Sequence, residues 1–130
     1  MPVINIKYTK NLELSEKWRD ICVANHYQVS EIMAADIQDC KTFFYPVEDY
    51  VISAGDIKKE AFVHVEVSML DRPERTDTEY NILDKSFHAN IREIFLEKNN
   101  DKKILFTIFY HRLTKNILYK SKFDLSEQEK

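Results

Sequence analysis

The residues AFVHVEVSML, Ala61 to Leu70, alternate without a break between two kinds of side chain. Ala61, Val63, Val65, Val67 and Met69 point one way; Phe62, His64, Glu66, Ser68 and Leu70 point the other. Period-two alternation is the mark of a strand with two distinct faces. The first face is uniformly apolar and β-branched, so it belongs in a core. The second mixes rings and methyls with ionisable groups. The rest of the chain must therefore supply a sheet around this strand and a layer over its apolar side.

Three further stretches read as strands. The opening MPVINIKY carries Val3, Ile4, Ile6 and Tyr8, a short β-prone run that starts on Pro2. CKTFFYPVEDYVIS is aromatic and β-prone from about Lys41 to Ser53, and Pro46 inside it calls for an edge strand or a bulge. ILFTIFYHRL is apolar on both faces. Two helices separate these strands. Leu14, Trp18, Ile21, Cys22, Val29, Ile32 and Met33 form one helical stripe, with Asn11 as its N-cap and no Pro or Gly until well past Ile37. Thr76 and Glu79 have capping-box spacing, ahead of Tyr80, Leu83, Phe87, Ile91, Ile94 and Phe95, with an end near Lys98. Turns fall at Ala54–Asp56, Asp71–Arg75 and Asn99–Lys102, and Ile57–Glu60 is a polar loop.

The order is β-α-β followed by β-α-β, one unit repeated in pattern at a period of roughly 60 residues. The fold class is α/β, or α+β by some schemes: two β-α-β units, a four-stranded sheet, and two helices on one face. Parallel strands joined across helices require right-handed crossovers. Residues 1–130 make a single domain, of which about 114–130 is a C-terminal tail with a frayed polar end, SEQEK. Two helices cover only one sheet face. The other carries Phe62, Leu70 and either Leu105 and Phe109 or Phe106 and Ile108, so it needs a partner, and the sequence implies an oligomer with facing sheets. His64, Glu66 and Ser68 then lie at a subunit interface or a wet central channel.

Composition excludes several classes. The formal net charge of −3 argues against a nucleic-acid binder held by a basic surface. The N-terminus has no apolar signal region, and no run approaches the roughly 18 apolar residues that span a bilayer, so the expected location is the cytoplasm with no membrane partner. Cys22 and Cys40 are isolated thiols without metal-ligand spacing or a base partner, expected free and buried. Gly55 is the single glycine, which excludes phosphate loops and the dinucleotide fingerprint. His64, Glu66 and His111 sit on strands without metal-site spacing; they read as structural, and no metal is expected. The lysine-rich KNILYKSKF could pass for a membrane-surface helix, but is short and better suited to packing on a neighbouring subunit.

Pro2 has two readings. Proline suits the first residue of a strand because it brings no N–H to the ladder. Methionine ahead of a small residue is also usually removed. Pro2 would then present a secondary amine, able to act as a base once its pKa is lowered by burial and nearby positive charge.

The opening MPVINIKYTKNLE, the segment YPVEDYVISAGD and above all EAFVHVEVSML resemble the tautomerase superfamily, and within it the 5-carboxymethyl-2-hydroxymuconate isomerases. The resemblance runs from Met1 to about Lys120. It implies a homotrimer with its sheets turned inward around the axis and an active site at each subunit boundary. It also implies Pro2 as general acid/base and proton transfer between enol or dienol and 2-oxo acid forms without a cofactor. The substrate would be a small 2-hydroxy-dienoate or 2-oxo carboxylate, held by cationic side chains.

The chain departs from that pattern. Family enzymes carry two arginines early in the second strand; here Lys41 and Phe43 stand in their places. Lysine keeps the charge but not the bidentate fork, and Phe43 removes a charge. Before the second helix DRPERT offers Arg75, favoured because it adjoins the cap, or Arg72. Apolar walls come from Phe43, Phe44, Tyr45 and the last strand. The expected substrate-binding residues are Lys41, Arg75, Arg72 and Phe43. The alternative is an inactive or altered-substrate trimeric member serving as a binding or structural protein. Without the resemblance, a dimeric ferredoxin-like ligand-binding domain would fit the pattern.

Overall fold

The computed structural model describes residues 2–54, 60–114 and 121. Its elements are β1 (Val3–Thr9), α1 (Trp18–Met33), a short 3-10 turn (Ile37–Asp39), β2 (Lys41–Val47), β3 (Glu60–Leu70), α2 (Asp77–Leu96) and β4 (Lys103–Leu113). The four strands form one sheet in the order β2-β1-β3-β4. β1 runs parallel to β2 and antiparallel to β3, and β3 runs parallel to β4. The two β-α-β units expected from the sequence are thus present, joined antiparallel along β1 and β3.

The alternation read from Ala61 to Leu70 is the observed one. Val63, Val65 and Val67 are fully buried, and the register puts Val65 beside Ile6 and Ile108. Ile4, Ile6, Phe87, Phe95, Leu83 and Ile94 complete the core between sheet and helices. The same register assigns the faces of β4. Ile104, Phe106 and Ile108 pack on the core, whereas Leu105 and Phe109 stay 57% and 56% exposed. With Phe43 at 44% and Tyr45 at 45%, they make the second sheet face apolar, and no described element covers it.

Three boundaries differ from the sequence expectation by more than a residue or two. β2 ends at Val47 instead of Ser53. Its pairing with β1 is continuous from Val3↔Lys41 to Thr9↔Val47, so Pro46 is accommodated by an edge position, with no bulge. α1 begins at Trp18, well after Asn11, because α2 pins the preceding segment. Ser15 donates its N–H to Ile94 O at 2.8 Å, and Asn99 brackets Glu13 through bonds of 3.0 and 2.7 Å. α1 also stops at Met33, before Ile37, where Ala34 takes a left-handed conformation (φ 52°) usually left to glycine. α2 begins with the expected capping box of Thr76 and Glu79. Gly55 and most of the tail after Thr114 lie outside the described residues. No helix among the described residues is long and apolar enough to cross a membrane.

Candidate functional site

The topology gathers the expected site residues at one end of the sheet. β1 and β2 both start there, and β3 and β4 both finish there. The C-terminus of α1 and the N-terminus of α2 reach the same end, since Met33 O and the turn before Thr76 are linked by Arg75. Pro2 is buried at the start of β1, and its carbonyl accepts the Lys41 N–H at 3.1 Å. Lys41 opens β2 on one side of it. On the other side Val3 pairs with Ser68, two residues before β3 ends.

The turn from Asp71 to Thr76 carries both expected arginines, and they differ in kind. Arg75 is only 6% exposed. Its Nε donates to Met33 O at 3.0 Å, and its Nη1 donates to Leu70 O. Burial lowers its pKa, with the positive charge of Arg72 adding to the effect. Arg75 therefore ties the end of α1 to the end of β3. Arg72 is exposed, accepts the Arg75 N–H on its carbonyl at 2.9 Å, and lines a surface hollow of about 440 Å³ with Pro73, Thr76 and Arg112.

Arg112, on β4, is a cation at this end that the sequence reading passed over. Its guanidinium stacks on Tyr80 at 4.3 Å and bonds Asp71 at 3.2 Å and Asp77 at 3.3 Å. The hydrogen bond to Asp71 raises its pKa. The signal was available in the pairing of Met69 with Arg112, but only once the register was known. Lys41 and Arg72 make no ion pair among the described residues.

Phe43 lies on the uncovered face, two residues along β2 from Lys41, and stacks on Tyr45 with centroids 6.3 Å apart and planes at 29°. Phe44 points the other way, edge-on to Trp18 at 5.1 Å. Cys40 precedes Lys41; burial raises its thiol pKa, which holds it in the weakly nucleophilic form. His26 bonds Thr42 at 2.7 Å, and burial lowers its pKa.

A second polar group sits in the middle of the uncovered face, on the strands where the sequence placed His64, Glu66 and His111. Glu66 meets His64 at 3.1 Å, His111 at 3.4 Å and Lys7 at 4.0 Å, and Thr107 bonds the other nitrogen of His64 at 2.5 Å. Among the described residues no group of three or more His, Cys, Asp or Glu side chains is arranged to hold a metal.

No protein-family description matches the chain, and no curated protein sequence matches it. Solved structures do match. A 5-carboxymethyl-2-hydroxymuconate delta-isomerase superposes with a TM-score of 0.74 at 13% identity, over 99% of this chain and 92% of that one. A 5-carboxymethyl-2-hydroxymuconate isomerase from Deinococcus radiodurans gives 0.71 at 13% identity, over 99% and 94%. A fused 4-OT described as a symmetric trimer gives 0.65 at 14% identity, over 88% and 87%. The fold of this chain is the fold of these structures, as the resemblance in the sequence implied.

Proposed function

We propose that this protein is a cofactor-independent isomerase that moves a proton between the enol or dienol and 2-oxo forms of a small carboxylic acid, with Pro2 as general acid/base. The observation that carries this reading is the placement of Pro2. It is buried at the start of β1, between two strand ends that bring Lys41 and the Arg72 turn to its sides. A secondary amine in that position is disfavoured as a cation, both by loss of water and by the neighbouring positive charges. As the neutral amine it takes the hydroxyl proton of the enol and returns a proton to carbon. The C=C bond shifts, the C–O bond becomes a carbonyl, and no electrons leave or enter.

Lys41 and Arg72 are the carboxylate binders in this reading. Arg75, which the sequence favoured, is assigned a supporting part because its guanidinium is engaged by main-chain carbonyls. The uncovered sheet face supports assembly as a homotrimer with the sheets turned inward, which would complete each site from a second subunit. The chemistry requires loss of Met1, since an acylated proline nitrogen is not basic. Mass spectrometry of the native protein, with a UV assay of ketonisation of 2-hydroxymuconate and related dienols, tests the reading. A chain that retains Met1, or that leaves every dienol at its rate in buffer, would overturn it.

A further inference from the structure

We propose that Phe43 and Tyr45 form the bed for the far end of the substrate, and that this end is flat, conjugated and uncharged: a 2-hydroxydienoate with one carboxylate is preferred over a dicarboxylate. The proposal rests on the Pro2 reading above and adds the substrate class. Its first support is the order of side chains on one face of β2. Lys41, Phe43 and Tyr45 occupy alternate positions, so a cation beside Pro2 is followed by two near-parallel rings leading away from it. Core packing fixes that order. Phe44 is held by Trp18 and Tyr8, at 5.1 and 6.3 Å between ring centroids, and a slip of one residue would expose it.

The second support is the charge around the rings. Asn5 lies opposite Phe43, and Glu66 lies beyond Asn5 in the same row. Lys7 lies opposite Tyr45, but its Nζ is 4.0 Å from the Glu66 carboxylate. Of the lysines and arginines on this face and at its ends that make no ion pair among the described residues, Lys41 and Arg72 are at the Pro2 end, and Lys103 is at the opposite end on β4, three strands across from the rings. A conjugated acid laid from Lys41 across Phe43 finds charge for its reacting end and π surface for its tail. A second carboxylate on that tail would be stripped of water against a ring whose neighbouring cation, Lys7, already faces Glu66.

Two dienols that differ only at the far end test this directly: 2-hydroxyhexa-2,4-dienoate ends in a methyl group and 2-hydroxymuconate in a carboxylate. The expected wild-type kcat/KM favours the methyl compound by at least about tenfold, and Phe43→Arg moves that ratio toward the dicarboxylate by a similar factor. Phe43→Leu, which keeps an apolar side chain, retains the preference with weaker binding. A wild-type preference for 2-hydroxymuconate, or a ratio that Phe43→Arg leaves unmoved, would overturn the proposal. Calorimetric binding of two unreactive acids, sorbate and muconate, separates this result from failure of the Pro2 chemistry. Tighter sorbate binding supports the aromatic bed even in a protein that ketonises nothing. Equal or tighter muconate binding, or no binding of either, overturns it. So does a Phe43→Leu variant that loses its oligomer while binding sorbate as before, because the rings would then serve the subunit contact.

Discussion

Arg75 shows how a charge can be taken from solvent and used to hold main chain together. Two carbonyls from different elements, Met33 O and Leu70 O, converge on its guanidinium. Arg75→Met leaves both without that donor and should cost about 3 kcal/mol of unfolding free energy, read as a lowered urea midpoint. A loss below about 0.5 kcal/mol would show that water replaces the guanidinium. Cys22 makes a second residue-level claim. Burial pushes its thiol from the ordinary 9.0 up to about 11, and burial also raises Tyr80 and Tyr110. These groups keep their protons longer in the folded chain than in the unfolded one. Their stabilising effect is complete below the unfolded values and is lost as pH rises through the folded ones. For Cys22 the window opens at 9.0 and runs to about 11. Urea midpoints should fall across that window, and fall less in Cys22→Ala; parallel curves for the two proteins would reject the assignment. At this scale the sequence showed which residue types were present. It could not show that the Arg75 guanidinium is held by main chain while Arg72 makes no ion pair among the described residues, because that depends on where Met33 and Leu70 end their elements.

At the scale of elements, period and capping were legible where the local signal acts alone. The Ala61–Leu70 alternation became β3 with every face assigned as read, and the Thr76–Glu79 box opens α2. Glu79 is held below the usual carboxylate range by its hydrogen bonds to Thr76. Thr76→Ala should lower stability by about 1 kcal/mol, measured by thermal or urea denaturation, and no change would mean that solvent caps the helix equally well. Boundaries set by distant contacts were not legible. The helical stripe runs on to Leu14, yet Ser15 is held by Ile94 of α2 and Glu13 by Asn99 just past the end of α2, so the helix waits until Trp18. Its other end is marked by Ala34 in a left-handed conformation, which no glycine or proline announces. β2 similarly gives up its pairing at Val47, where β1 itself ends.

The whole molecule is a sheet with one face packed and the other carrying Phe43, Tyr45, Leu105 and Phe109 around the Glu66 cluster. Two helices could cover only one side, which is why the uncovered face was foreseeable; which residues of β4 line it depended on the register with β3. Sedimentation equilibrium should give the mass of a trimer, and Phe109→Glu should shift it toward the monomer; a wild-type monomer would reject the assembly and the shared site with it. The same architecture brings four strand ends, two helix ends and several cations around Pro2. That this end of the sheet does proton transfer is tested most directly by ketonisation rates for wild type against Pro2→Leu, whose larger side chain keeps Met1 in place and the nitrogen acylated. The expected fall in kcat is at least about a hundredfold in a variant with the wild-type fold and oligomeric state, with Met1 read by mass spectrometry; equal rates in the two proteins would rule out the N-terminal amine as the base.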